Sequence, residues 1–147
     1  MVDLPSKRTF PNTVLLLGYA GLIPFVALLL LPYFGATEIA LLLPIVNAYA
    51  FGIISFMCGT WWRADTEMVA KTSALILSNC LFLISFFAFV LLPKLWPLFA
   101  SVLLLLLFIL EHYTHWIGIF TSSYRRMRGA LSIVASMAML FSFIFLS

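Results

Sequence analysis

The chain has 147 residues, 65% of them apolar and 9% charged, whereas soluble domains carry about 25% charged residues. Five acidic and eight basic side chains cannot clothe a water-soluble surface, and an exterior so apolar would aggregate unless lipid covered it. The net charge of +3 does not signal nucleic acid, because the basic residues fall in short clusters between apolar runs and form no basic domain to track a phosphate backbone.

A helix needs about 20 mostly apolar residues to cross the hydrocarbon core. Five runs meet that length: Asn12 to Tyr33, Glu38 to Trp61, Thr72 to Leu92, Leu95 to Ile117 and Gly129 to Leu146. Unpaired backbone groups are intolerable in lipid, and no alternating segments of about ten residues suggest a barrel. The expectation is therefore an all-α bundle of five transmembrane helices, with residues 1–147 forming a single transmembrane domain. Lys7 and Arg8 precede the first run as they would a signal peptide. Its apolar core is too long for one, and the best cleavage position, near Ala36, places bulky Phe34 where a small side chain is wanted, so the run is expected to stay as a helix.

Pro24 and Pro44 lie inside the first two runs, where a missing N–H and a clash with the preceding turn bend a helix. Packing kinks are expected. A broken helix lining a site would need more polar company than Asn47 and Tyr49 supply.

Orientation follows from the basic residues. Lys7, Arg8, Arg63, Lys71, Arg125, Arg126 and Arg128 fall on one side of the five spans and Lys94 alone on the other. The positive-inside rule then puts the N-terminus inside and the C-terminus outside. Trp61, Trp62, Trp116 and Tyr124 at the inner boundary, with Tyr33 and Trp96 at the outer one, fit aromatic belts at headgroup depth. The loops are brief, the longest being the inner ones around Arg63 to Lys71 and Phe120 to Arg128, and none is large enough to carry a soluble active site. An odd number of spans with no internal repeat does not divide into the two inverted halves of many transporters.

Helices in lipid associate through small residues and close packing. Ala48, Gly52, Ser55 and Gly59 share one face of the second span and are expected to be its contact stripe, with packing inside the bundle preferred to oligomerisation. Ala74, Ser78, Ser85 and Ala88 in the third span, and Gly129, Ser132 and Ser136 in the fifth, repeat the pattern. Cys58 and Cys80 both fall in apolar runs and are expected to be packing residues rather than a disulfide.

The most informative stretch is Glu111, His112, Tyr113, Thr114 and His115. A carboxylate at mid-membrane costs about 2.5–3.5 kcal/mol even on the lenient insertion scale. Glu111 and His115 are a helical turn apart, and the cluster lies in the inner third of the bilayer, level with Arg63, Tyr19 and Asn79. Glu111 paired with Arg63 or His115 would lock helix ends together, and the inner depth favours this reading. In the competing one, Glu111, His112 and His115, with Arg63, Tyr19 or Asn79, relay protons or bind a metal, haem or quinone headgroup.

Bis-histidine haem needs a ligand from each of two facing helices, and both histidines stand on the fourth span. Glu111, His112 and His115 likewise lack a ligand from a second helix, so no metal site is expected. Neither a nucleophile elbow nor a P-loop occurs. No catalytic residues, no cofactor and no enzymatic activity are therefore expected.

The strings Leu17-Gly18-Tyr19-Ala20-Gly21-Leu22-Ile23-Pro24-Phe25, Tyr49 through Phe56, Gly59 to Trp62, and Tyr124-Arg125 followed by Arg128 and Leu131-Ser132 resemble the family called domain of unknown function 3429, which includes transmembrane protein 69-like proteins. The resemblance covers most of the chain and rests on glycine, aromatic and arginine positions in apolar context. The family pattern carries a His-Trp-Gly after a glycine pair at the end of span two. This chain reads Cys58-Gly59-Thr60-Trp61-Trp62-Arg63 there, so no role of that histidine carries over. The resemblance implies a multi-pass protein of the bacterial or mitochondrial inner membrane and supplies no activity.

Together these features predict a small membrane protein acting through helix contacts, as an accessory subunit or assembly factor of a larger complex. Its partners would be the lipid bilayer and other membrane subunits or a second copy of itself. The alternative is a proton-coupled carrier, or a binder of quinone, haem or lipid, using Glu111, His112 and His115.

Overall fold

The computed structural model describes residues 12–30, 33, 35–62, 72–113 and 122–145. Among them the structure is helical and holds no strand: α1 (Asn12–Ala20), α2 (Ile23–Leu30), α3 (Ala36–Thr60), α4 (Thr72–Leu91), α5 (Trp96–Tyr113) and α6 (Ser122–Phe145). α1 and α2 together make one stretch, so the described residues contain five stretches long and apolar enough to cross a membrane.

The two prolines act differently. α3 runs unbroken through Pro44. At Pro24 the chain does more than kink: the helix is interrupted at Gly21 and Leu22, and Leu22 N–H bonds back to the Tyr19 carbonyl at 3.0 Å in a tightened turn. The interruption leaves the Gly21 carbonyl open, and the Tyr49 hydroxyl from α3 donates to it at 3.1 Å. Phe25 packs against the Tyr49 ring, centroids 5.5 Å apart. One tyrosine thus satisfies the broken backbone and docks α3 on α2.

α6 begins at Ser122 rather than Gly129, so Arg125, Arg126 and Arg128 lie in its first turns and not in a loop. Charge marks where apolar sequence ends, but arginine is a good helix former and does not stop the backbone from continuing.

α5 and α6 pack along the longest interface; α6 also meets α1 and α2, while α3 meets α2, α4 and α5. Close approach needs small residues. Ala100 on α5 and Ala135 and Ala138 on α6 are fully buried, and Gly129 lies so near Phe108 that a Cβ there would come within 3.1 Å of the ring. Ser136 Oγ donates to the Ser101 carbonyl at 3.0 Å, and the two hydroxyls are 2.9 Å apart. The stripes of small residues on α4 and α6 are buried as expected.

The α3 stripe lies elsewhere. Ala48, Gly52 and Gly59 are exposed, Ser55 is half-buried, and a Cβ at Gly52 or Gly59 would meet nothing within 4 Å. Among the described residues that face is no seam. α3 instead turns inward Val46, Ala50, Ile54, Met57 and Trp61, whose larger side chains fill the space between α2, α4 and α5. Small residues mark where another surface can come close without specifying which surface.

Trp96 is likewise not a belt residue. It is almost wholly buried, donates from Nε1 to the Asn47 carbonyl at 3.0 Å, and packs edge-on against Phe89 and Phe51, which stack at 5.2 Å. Trp61 and Tyr124 are also buried, whereas Tyr33 and Trp62 remain outward; Trp62 donates to Ser78 Oγ at 3.1 Å. Cys58 joins the core and Cys80 faces out, both as free thiols.

A buried ion pair ties three helix ends

Glu111 stands in the last turn of α5, where the helix dipole disfavours a negative charge, so its compensation must come from other helices. α6 supplies it. Arg128 donates from Nε to Glu111 Oε2 at 3.0 Å and from Nη2 to Oε1, a side-on bidentate pair. α3 adds Trp61, at the C-cap of that helix, whose Nε1 donates to the same Oε1 at 3.1 Å. The side chains of Glu111 and Arg128 are each 6% exposed.

The remaining guanidinium nitrogen is used as well. Arg128 Nη1 donates to Thr60 Oγ1 at 2.9 Å and to the Tyr124 hydroxyl at 3.3 Å, and Thr60 Oγ1 in turn donates to the Met57 carbonyl at 2.7 Å. Tyr124 and Arg128 are one turn apart on the buried face of α6. A further turn on, Ser132 Oγ reaches Met57 Sδ at 3.9 Å. The ends of α3 and α5 are thus joined to the start of α6 by one connected network.

Such a pair is neutral as a unit and nearly saturated with hydrogen bonds, which is the condition under which buried charges are tolerated. The carboxylate is held by a bidentate arginine and an indole N–H, and these contacts join the ends of α3 and α5 to the start of α6.

The residues singled out from the sequence are distributed unevenly around it. His112 is exposed at the edge of the pair and makes no hydrogen bond to it, its ring lying against Phe108 and Tyr113 with centroids 5.9 and 5.4 Å away. Tyr19 on α1 and Asn79 on α4 face outward, and neither hydrogen-bonds to Glu111. Arg63 and His115, the two partners expected for Glu111, lie outside the described residues. The partner that sequence reasoning passed over is Arg128, counted there as a topology signal and as part of the Tyr124 to Ser132 string. Its spacing from Tyr124 and the buried serines that follow marked it as lying on an inward face.

Beside the pair a small cleft of about 30 Å³ opens between α5 and α6, lined by Phe108, Glu111, His112, Arg125, Arg128 and Gly129. It is half open and has room for about two water molecules. Among the described residues no three His, Cys, Asp or Glu side chains gather as metal ligands would.

Among the described residues, five apolar stretches long enough to cross a membrane pack as an all-helical bundle, tied at one end by a buried ion pair. Residues 10–144 match the family described as a protein of unknown function, DUF3429, and the chain belongs to that family. Comparison with curated proteins and with solved structures gave no match.

Proposed function

We propose that this chain is a small integral protein of an inner membrane that acts through helix contacts, as an accessory subunit or assembly factor of a larger membrane complex. The distribution of lysine and arginine supports a cytoplasmic N-terminus and an outer C-terminus. The observation that carries the reading is the commitment of Glu111 to Arg128 and Trp61. The carboxylate that suggested chemistry is engaged in holding α3, α5 and α6 together, which leaves the outer helix surfaces as the means of action. The free face of α3 at Ala48, Gly52 and Gly59 suits a second helix at close range.

The test is purification from native membranes in mild detergent or nanodiscs, with mass spectrometry of co-purifying proteins and an optical spectrum. A stoichiometric membrane complex is the expected result. An isolated protein carrying a pigment or quinone would overturn this reading in favour of a small-ligand binder or carrier. That second reading draws on the half-open cleft beside Glu111 and His112, whose volume is far below that of a quinone or haem pocket.

A further inference from the structure

We infer that the cleft between the end of α5 and the start of α6 seats the phosphate of an anionic phospholipid, with Arg125 as its cation and His112 as a second polar contact. Four observations converge on this.

The first is charge. Glu111 and Arg128 form one wall and cancel one another, so the local charge balance is set by Arg125, which lines the same cleft and has no ion pair or hydrogen bond among the described residues. Arg125 and Arg128 are three apart on one helix face. A guanidinium with no such partner among the described residues, set beside a neutralised pair, offers a positive charge to an anion, and its fork suits phosphate oxygens.

The second is shape. The half-open cleft of about 30 Å³, lined also by Phe108 and Gly129, is too small for a whole headgroup but lets a phosphate oxygen enter. The third is depth: the site lies at the end of α5, where a helix of membrane-crossing length meets the headgroup layer.

The fourth separates a lipid from a free anion. Val102, Leu105 and Ile109 are exposed on α5 and lead, at steps of three and four residues, to His112. They form one apolar stripe ending at the cleft. From Val102 to His112 is about 15 Å of helix, comparable to one leaflet of hydrocarbon. An acyl chain can lie along the stripe while its phosphate meets Arg125. Basic clefts between helices at a membrane face are suited to anionic headgroups. This inference does not depend on the accessory-subunit reading.

The experiment is native mass spectrometry of delipidated protein reloaded from vesicles of mixed phosphatidylglycerol and phosphatidylcholine, comparing wild type with Arg125→Gln and Arg126→Gln. Arg126 is a neighbouring exposed arginine that does not line the cleft, so diffuse attraction to an anionic surface would weaken equally in both variants. Wild type is expected to retain phosphatidylglycerol selectively. Arg125→Gln should lose about tenfold more of that affinity than Arg126→Gln, and His112→Phe, which keeps a ring at that position, should lose an intermediate share. Equal losses for the two arginines, or no selectivity in wild type, would overturn the site. Displacement of the lipid by millimolar inorganic phosphate would overturn the lipid assignment in favour of a free anion.

Discussion

Arg128 on α6 holds both carboxylate oxygens of Glu111 on α5, so two charges 17 residues apart in sequence become one neutral unit inside an apolar bundle. Removing either partner leaves the other buried and unpaired. Glu111→Leu and Arg128→Met should each lower stability by about 3–5 kcal/mol, whereas the double variant should recover most of that loss. Unfolding in mixed micelles, followed by circular dichroism, measures the cycle. Single variants as stable as wild type would show that the pair is not a lock.

Tyr49 caps the carbonyl left open by the break between α1 and α2. In Tyr49→Phe the ring contact with Phe25 survives and the donor is lost. The expected cost is about 1–3 kcal/mol, the usual range for stranding a buried acceptor, with faster amide exchange localised to the residues flanking Gly21. Exchange unchanged there would mean that the carbonyl finds another donor.

The glycines divide into two groups by what surrounds them. A side chain on Gly18 would overlap Met127, so Gly18→Leu should separate α1 from α6 and destabilise the fold. Gly52 has open space beside it, so Gly52→Leu should leave folding intact and, if the α3 face docks a partner helix, abolish its co-purification. Thermal stability and pull-down yield, measured on the same preparations, separate the two effects.

Ser142 is fully buried and its hydroxyl has no partner among the described residues. Ser142→Ala removes an unsatisfied group while changing little volume, and should be neutral or stabilising by up to about 1 kcal/mol. Ser136→Ala on the same helix removes a satisfied donor to Ser101 and should be destabilising by about 0.5–1.5 kcal/mol. Similar shifts in melting temperature for both would contradict the difference in their surroundings.

The five spans, their helical nature and the family were legible in the sequence because hydropathy is a local property: about 20 apolar residues in a row leave the backbone no other way to satisfy itself in lipid. Glu111 stood out for the same reason, as a charge too costly to be incidental. Which residue answers that charge was decided only by the tertiary structure. Arg128, Trp61 and Thr60 come to Glu111 from two other helices, and their meeting depends on the rotation and depth of each helix. In a soluble protein the polar face of a helix reveals its rotation, but here outer and inner faces are both apolar. Trp96 and Trp61 were therefore indistinguishable from belt residues, and the small-residue face of α3 from the buried faces of α4 and α6. Packing settled them: α3 turns Val46, Ala50, Ile54, Met57 and Trp61 into the core and leaves Ala48, Gly52 and Gly59 facing out.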